Sequence, residues 1–294
     1  MGAKILYYLF LKPVSLLPYF LLYRVSDFIF LLFKTVFPYR KKVVLGNIQR
    51  SFPTKTAAEH KAIMNKFYRH LGDIFVESFK NFSVRKSSVD QRMKANNTEI
   101  FQQMKDKGKG VVLCGGHYNN WELYALAVAD HTPMPIMAIY KRLSNAWFDK
   151  KMRVTRGKFG LQLVPTVETS EWMAKHKDEP FCSVYGFDQS PANPKKSHWA
   201  QFLNQDTAMY YGPERHAKQY DMAVVYGKLR KVKRGHYEIF YELVTETPND
   251  YPSGAIIEKI HDILASEIER EPQYWLWTHK RWKHKRPAEL TSIL

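Results

Sequence analysis

The 294-residue chain is 45% apolar and 15% aromatic, which supplies a sizeable core and excludes disorder as its main state. Its formal charge of +17 calls for an anionic partner: nucleic acid, an anionic bilayer surface, or a phosphorylated or carrier-linked substrate. Its two cysteines, Cys114 and Cys182, both in apolar runs without metal-ligand spacing, exclude a disulfide framework and fit buried thiols in a reducing compartment.

Residues 5–38 are strongly apolar but interrupted by Lys12, Arg24, Asp27 and Lys34. No charge-free run reaches the ~18 residues of a clean spanning helix, and the region is too long for a secretory signal. On a helix, Arg24, Asp27 and Lys34 share one face, with Arg24 and Asp27 spaced to pair. The pattern predicts a membrane anchor that either spans once or lies in the interface; a hydrophobic helical hairpin packed on the following domain is the alternative. The basic cluster "YRKK" at 39–42 puts that domain on the cytoplasmic side.

Helical spacing of Ile63, Phe67, Leu71, Ile74 and Phe75 predicts a helix over 55–82, followed by a polar joint at 81–97. Strands and helices then alternate. A helix over 98–110 with a Thr98 cap is followed by strands at 111–115, 133–140, 161–165 and 181–186. Helices at 119–130, 145–160 and 167–177 separate these strands. Runs at 222–229 and 236–244 read as an antiparallel addition, and 253–270 as a closing helix. The fold class is α/β: a three-layer sandwich with a mostly parallel or mixed central sheet, behind the N-terminal anchor. The expected division is 1–38 anchor, 39–97 helical linker or cap, and 98–294 catalytic α/β domain.

Ligands of open α/β sheets bind beyond the carboxyl ends of the strands. Three such exits carry polar chemistry: "GGHYNNWE" after 111–114, "KRLSN" after 136–140 and "GFDQSPANP" after 181–185. The first holds His117 and Glu122. The pattern H-x4-[DE] is weak, with about one occurrence expected by chance. The chain has three, at His117/Glu122, His216/Asp221 and His284/Glu289. Only the first follows a strand and a glycine pair and precedes a helix. A carboxylate on one ring nitrogen leaves the other free as a base. Without a serine nucleophile nearby, the attacking group would be the substrate's own hydroxyl. The same spacing also suits a structural turn histidine bonded to Glu122.

These residues carry a resemblance. "GGHYNNWE" resembles the H-x4-[DE] block of glycerolipid-type acyltransferases, and more fully that of the lipid A biosynthesis lauroyl/myristoyl acyltransferase family. "YRKKVVLGNIQRSFP" at 39–53, "YKRLSN" at 140–145 with Arg153 and Arg156, "GFDQSP" at 186–191 and "EPQYWLWTHKRWKHKRP" at 271–287 resemble further blocks, in order, over most of the chain. The resemblance implies a membrane-bound O-acyltransferase with His117 as general base, Glu122 as its orienter, and no metal or cofactor. The donor would be an acyl thioester, usually on acyl carrier protein, and the acceptor a hydroxyl of lipid A or its precursor. Tyr118, Asn120, Lys141, Arg153, Arg156, Asp188 and Gln189 are the matching substrate-binding positions. Asn120 would hold the loop or the donor, and Trp121 would pack. Asp188 and Gln189 would orient an arginine such as Arg156 or cap the next turn. The setting would be the cytoplasmic face of the inner membrane.

Lys141 stands where the family usually has arginine, and "FLN" at 202–204 and "YYGP" at 210–213 depart from it, which places them beside the acyl or acceptor pocket. Other acceptors with the same chemistry are an aminolipid, another glycolipid or a pigment; a non-catalytic membrane-surface binding protein is the reading of another class. The aromatic-basic tail at 279–286 suits an anionic headgroup or acidic carrier better than nucleic acid.

Overall fold

The computed structural model describes residues 2–36 and 39–288. Nine strands are present among them: β1 (Met93–Asn96), β2 (Val111–Gly115), β3 (Ile136–Tyr140), β4 (Gln162–Pro165), β5 (Cys182–Gly186), β6 (His198–Phe202), β7 (Gln205–Met209), β8 (Ala223–Lys233) and β9 (His236–Thr245). Seven form one sheet in the order β1-β9-β8-β2-β5-β3-β4, and β6-β7 is a separate hairpin. All neighbours in the large sheet are parallel except β8 and β9. The antiparallel addition is therefore β9 alone; β8 lies parallel to β2. Val111 to Cys114 are fully buried, as expected of a central strand covered on both faces.

One sheet face packs on helices Lys41–Ser51, Ala57–Lys80 and Ala255–Arg270 through Ile48, Phe67, Leu71, Ile260 and Leu264. The other packs on helices Lys86–Arg92, Glu99–Asp106 and Trp121–Ala127 through Val89, Phe101, Leu123 and Leu126. These are the three expected layers. Two stretches read otherwise from sequence. The polar joint contains β1, which pairs with β9 from Met93↔Tyr237 to Asn96↔Phe240. Residues 198–209 form a hairpin turning at Leu203 and Asn204, both with positive φ (49° and 62°). A leucine there hides the Asn-Gly signature that usually marks such a turn.

The Ala57–Lys80 helix starts at a capping box: Glu59 N donates to Thr56 Oγ1, and Thr56 N donates to the Glu59 carboxylate. Thr98 makes no such side-chain bond; Gly108, at φ +70°, ends the following helix.

The N-terminal segment forms helical turns from Gly2 to Leu16, breaks at Leu17–Pro18, and continues as helix Tyr19–Thr35. No helix among the described residues is long and apolar enough to cross a membrane. In helix Tyr19–Thr35, Tyr23, Ser26 and Asp27 face inward, whereas Arg24 and Lys34 are exposed. Ser26 donates to Asp73 (2.7 Å), Tyr23 to Glu77 (2.9 Å), and Asp27 pairs with Arg234 (2.7 Å) rather than with Arg24. Gly72 permits this approach, since a Cβ there would lie 3.0 Å from Ser26 O. Leu9, Phe10, Leu16, Phe20 and Phe28 face outward, 59–69% exposed.

Candidate active site

β2 and β5 are adjacent and in register, Gly115 opposite Gly186. His117 and Asp188 each lie two residues beyond that pair and meet. His117 Nδ1 is 2.6 Å from Asp188 Oδ1, and the His117 backbone N–H donates to Asp188 Oδ2 at 2.9 Å. The imidazole lies over Gly186, where a Cβ would come within 2.9 Å of His117 Cε1. Gly116 is needed for a different close approach: its Cβ would be 2.8 Å from Leu264 Cδ1.

A third donor reaches the carboxylate. The Trp275 indole N–H donates to Asp188 Oδ2 at 2.8 Å. Residues 274–276 run antiparallel beside the histidine loop: Asn119 N donates to Tyr274 O (2.9 Å), Leu276 N donates to His117 O (3.2 Å), and Tyr118 bridges Trp275. Burial opposes ionisation of Asp188, but the His117 charge and the converging donors hold its carboxyl well below the usual carboxylate range. Burial lowers the proton affinity of His117; the Asp188 charge and hydrogen bond, aided by Glu122, outweigh it, and the imidazole pKa is raised. Asp188 thus fixes the tautomer with hydrogen on Nδ1, and Nε2 accepts from the Gln189 amide at 3.2 Å.

Glu122 does something other than expected. Asn119 takes a left-handed conformation (φ 52°) and Asn120 caps the helix through Leu123 N at 2.8 Å. Helix Trp121–Ala127 then turns Glu122 toward helix Ala146–Gly157, where Arg156 holds it with two bonds, 3.0 Å from Nε and 2.5 Å from Nη2. His117 Nδ1 is thus bonded to Asp188 rather than to Glu122, and Arg156 to Glu122 rather than to Asp188.

His117, Trp121, Glu122, Lys141, Arg156 and Gln189 line one cleft of about 580 Å³. From the imidazole it runs between helix Trp121–Ala127 and the sheet face carrying Ala138, Leu163, Val184 and Leu229. The inner wall is apolar; the polar lining residues include Lys141 and the Arg156–Glu122 ion pair. Trp121, expected as packing, is half-buried with its ring 5.3 Å from the imidazole. Tyr118 and Arg153 do not line the cleft. Tyr118 is buried with its hydroxyl on Glu267 O (3.0 Å), and Arg153 pairs with Asp149 on its own helix (3.2 Å). Asn120 is buried and holds the loop, donating to Glu77 at 2.5 Å. Phe202 to Asn204 and Tyr210 to Pro213 are also off the cleft. In the tail, Arg281 is buried on Ala208 O and Trp282 donates to Thr207 and stacks on Phe202, while Lys280, Lys283 and Lys285 remain exposed.

The family model described as "Bacterial lipid A biosynthesis acyltransferase" matches residues 2–284. The chain belongs to that family. Its relatives include the lipid A biosynthesis palmitoleoyltransferase of Escherichia coli (strain K12) and the lipid A biosynthesis acyltransferase of Shigella flexneri. Each is 23% identical over 268 residues, covering 86% of this chain and 82% of the relative. This member of the family is accordingly an acyltransferase.

Trp275 was not legible as a site residue, because nothing in its spacing ties it to Asp188. Trp275→Phe keeps the ring bulk and removes one donor. A roughly tenfold fall in kcat is expected, the value of one hydrogen bond to a charged group. With that donor gone the Asp188 carboxylate becomes more basic and holds imidazolium more tightly. The acid limb of the pH–rate profile should therefore move to higher pH, which lost packing alone would not cause.

Proposed function

We propose that this chain moves a fatty acyl group from an acyl thioester to a hydroxyl of lipid A or its precursor, with His117 as general base and Asp188 as its orienter. One observation carries the reading: Asp188 holds Nδ1 while the imidazole lines a cleft that is apolar within and bears Lys141 among its polar residues. The acceptor hydroxyl takes the place of the Gln189 amide at Nε2. Its oxygen attacks the thioester carbonyl, its proton passes to Nε2, the C–S bond breaks, and the proton leaves on the thiolate. A thioester is already activated, so no acyl-enzyme is required. The apolar wall takes the acyl chain; exposed Lys141 suits an acidic carrier protein as donor. Arg156, neutralised by Glu122, shapes the rim.

The outward apolar face of the N-terminal helices lies in the bilayer interface without spanning it, on the cytoplasmic side of the inner membrane given the +17 charge. Replacing Phe10, Phe20 and Phe28 by Asp together should release the protein from anionic vesicles in a sedimentation assay, with at least a tenfold loss of binding. Unchanged sedimentation would remove the interfacial role.

Because the base must be unprotonated and its pKa is raised, kcat/KM should rise with pH through a value above the ~6.5 of free histidine. A limb below 6.5 would contradict the assignment. The function itself is tested by mass spectrometry of lipids from a deletion strain: loss of one secondary acyl chain from lipid A supports it, whereas intact lipid A with another lipid missing moves the acceptor elsewhere.

A further inference from the structure

A second cleft, about 390 Å³, lies on the other side of Trp121, Glu122 and Leu276, and these three residues line both clefts. Its apolar wall is Leu71, Ile74 and Phe75 of the Ala57–Lys80 helix. Its outer rim holds Tyr39 and Arg40, with Lys41 and Lys42 exposed beside them. That rim is continuous with the outward-facing apolar helix: Phe33 of helix Tyr19–Thr35 packs on Phe75 (5.9 Å between ring centroids) and on Tyr39 (5.7 Å). The inner end stops at Trp121, whose ring is 5.3 Å from the imidazole.

We propose that this second cleft receives the acceptor: one acyl chain of a phosphorylated membrane glycolipid enters along Leu71, Ile74 and Phe75, with a phosphate of its headgroup at Arg40. The inference rests on the acyltransferase reading and deepens it. Two hydrophobic chains must meet at one imidazole, and the structure offers two apolar clefts separated there by one indole. Supply routes divide them. A donor on a soluble carrier arrives from water, whereas the acceptor arrives from the bilayer. The second cleft opens beside helix Tyr19–Thr35, whose Phe33 packs on Phe75 and Tyr39 at its wall and rim. Its cationic rim matches a phosphate, and its wall matches an acyl chain.

The test uses the full chain carrying His117→Ala, so that no turnover intervenes, in detergent micelles. The probe is a disaccharide-phosphate lipid with a diazirine at the end of one acyl chain. Irradiation followed by peptide mapping should place adducts on Leu71, Ile74 or Phe75, and Ser78→Trp, which fills the cleft, should lower that labelling at least fivefold. Adducts confined to Ala125, Val128 or Leu163 of the first cleft, or to the N-terminal helices, would overturn the proposal without any need for the Ser78 variant. Labelling insensitive to Ser78→Trp in a folded protein would overturn it as well. The acyltransferase reading fails separately: wild-type protein would then turn over no thioester with any hydroxylated lipid, while the mapped adducts stayed in the second cleft.

Discussion

Asp188→Asn is expected to lower kcat by about 10³–10⁴-fold with little change in KM for either substrate, the effect of losing the carboxylate that fixes the tautomer of a catalytic imidazole. Asp188 accepts from His117 Nδ1, the His117 backbone and the Trp275 indole. An asparagine presents an N–H to at least one of these donors, and the ring loses both its preferred tautomer and the charge that stabilises imidazolium. Glu122→Gln, by contrast, still accepts from Arg156 through its amide oxygen, so it should cost far less than Asp188→Asn. The comparison is made with purified enzymes, an acyl-thioester donor and a lipid acceptor, alongside melting curves that show both variants folded. A severe loss at Glu122 with near-normal turnover at Asp188 would restore the pairing the H-x4-E spacing suggests and remove the one described here.

The second large effect is on stability. Glu77 is buried and accepts from Tyr23 of the N-terminal helix (2.9 Å), Tyr237 of β9 (2.9 Å) and Asn120 of the histidine loop (2.5 Å). Burial raises its pKa and Asp73 adds to this, while the tyrosine donors act the other way. Glu77→Leu preserves volume but leaves three donors, two buried and one part-buried, without an acceptor. At about 1–3 kcal/mol for each unsatisfied group, partly relieved by local rearrangement, a loss of about 3–5 kcal/mol is expected, or roughly 10 °C in melting temperature for a domain of this size. Calorimetry checks it; a change under about 1 kcal/mol would mean that these donors find water or other partners instead.

The strand exits were readable because a parallel strand buried on both faces is a short apolar run ending in glycine or a polar turn, as at Cys114 to His117 and Tyr185 to Asp188. The partnership between those exits was not readable. Spacing along the chain put Glu122 next to His117. The cap at Asn120 starts a helix that carries Glu122 toward Arg156, while sheet order sets β5 beside β2 and delivers Asp188 from 71 positions away. Strand order is decided by packing of the whole domain, and no local pattern reports it. β1 was hidden for a related reason: an edge strand of four residues, Met93–Asn96, buries only Met93 and so shows little apolar alternation. The N-terminal segment inverted the usual reading of an apolar helix. Asp27 looks like an interruption in a membrane anchor, yet with Tyr23 and Ser26 it contacts the protein, as do Phe30 and Phe33, while Leu9, Phe10, Leu16, Phe20 and Phe28 face out.

The strip 274–276 that flanks the histidine loop lies apart from the sheet it serves. It follows every strand of the seven-stranded sheet in the chain, so the indole donor to Asp188 and the amide donor to His117 O come from residues outside the sheet itself. The sheet alone thus does not complete the reactive geometry.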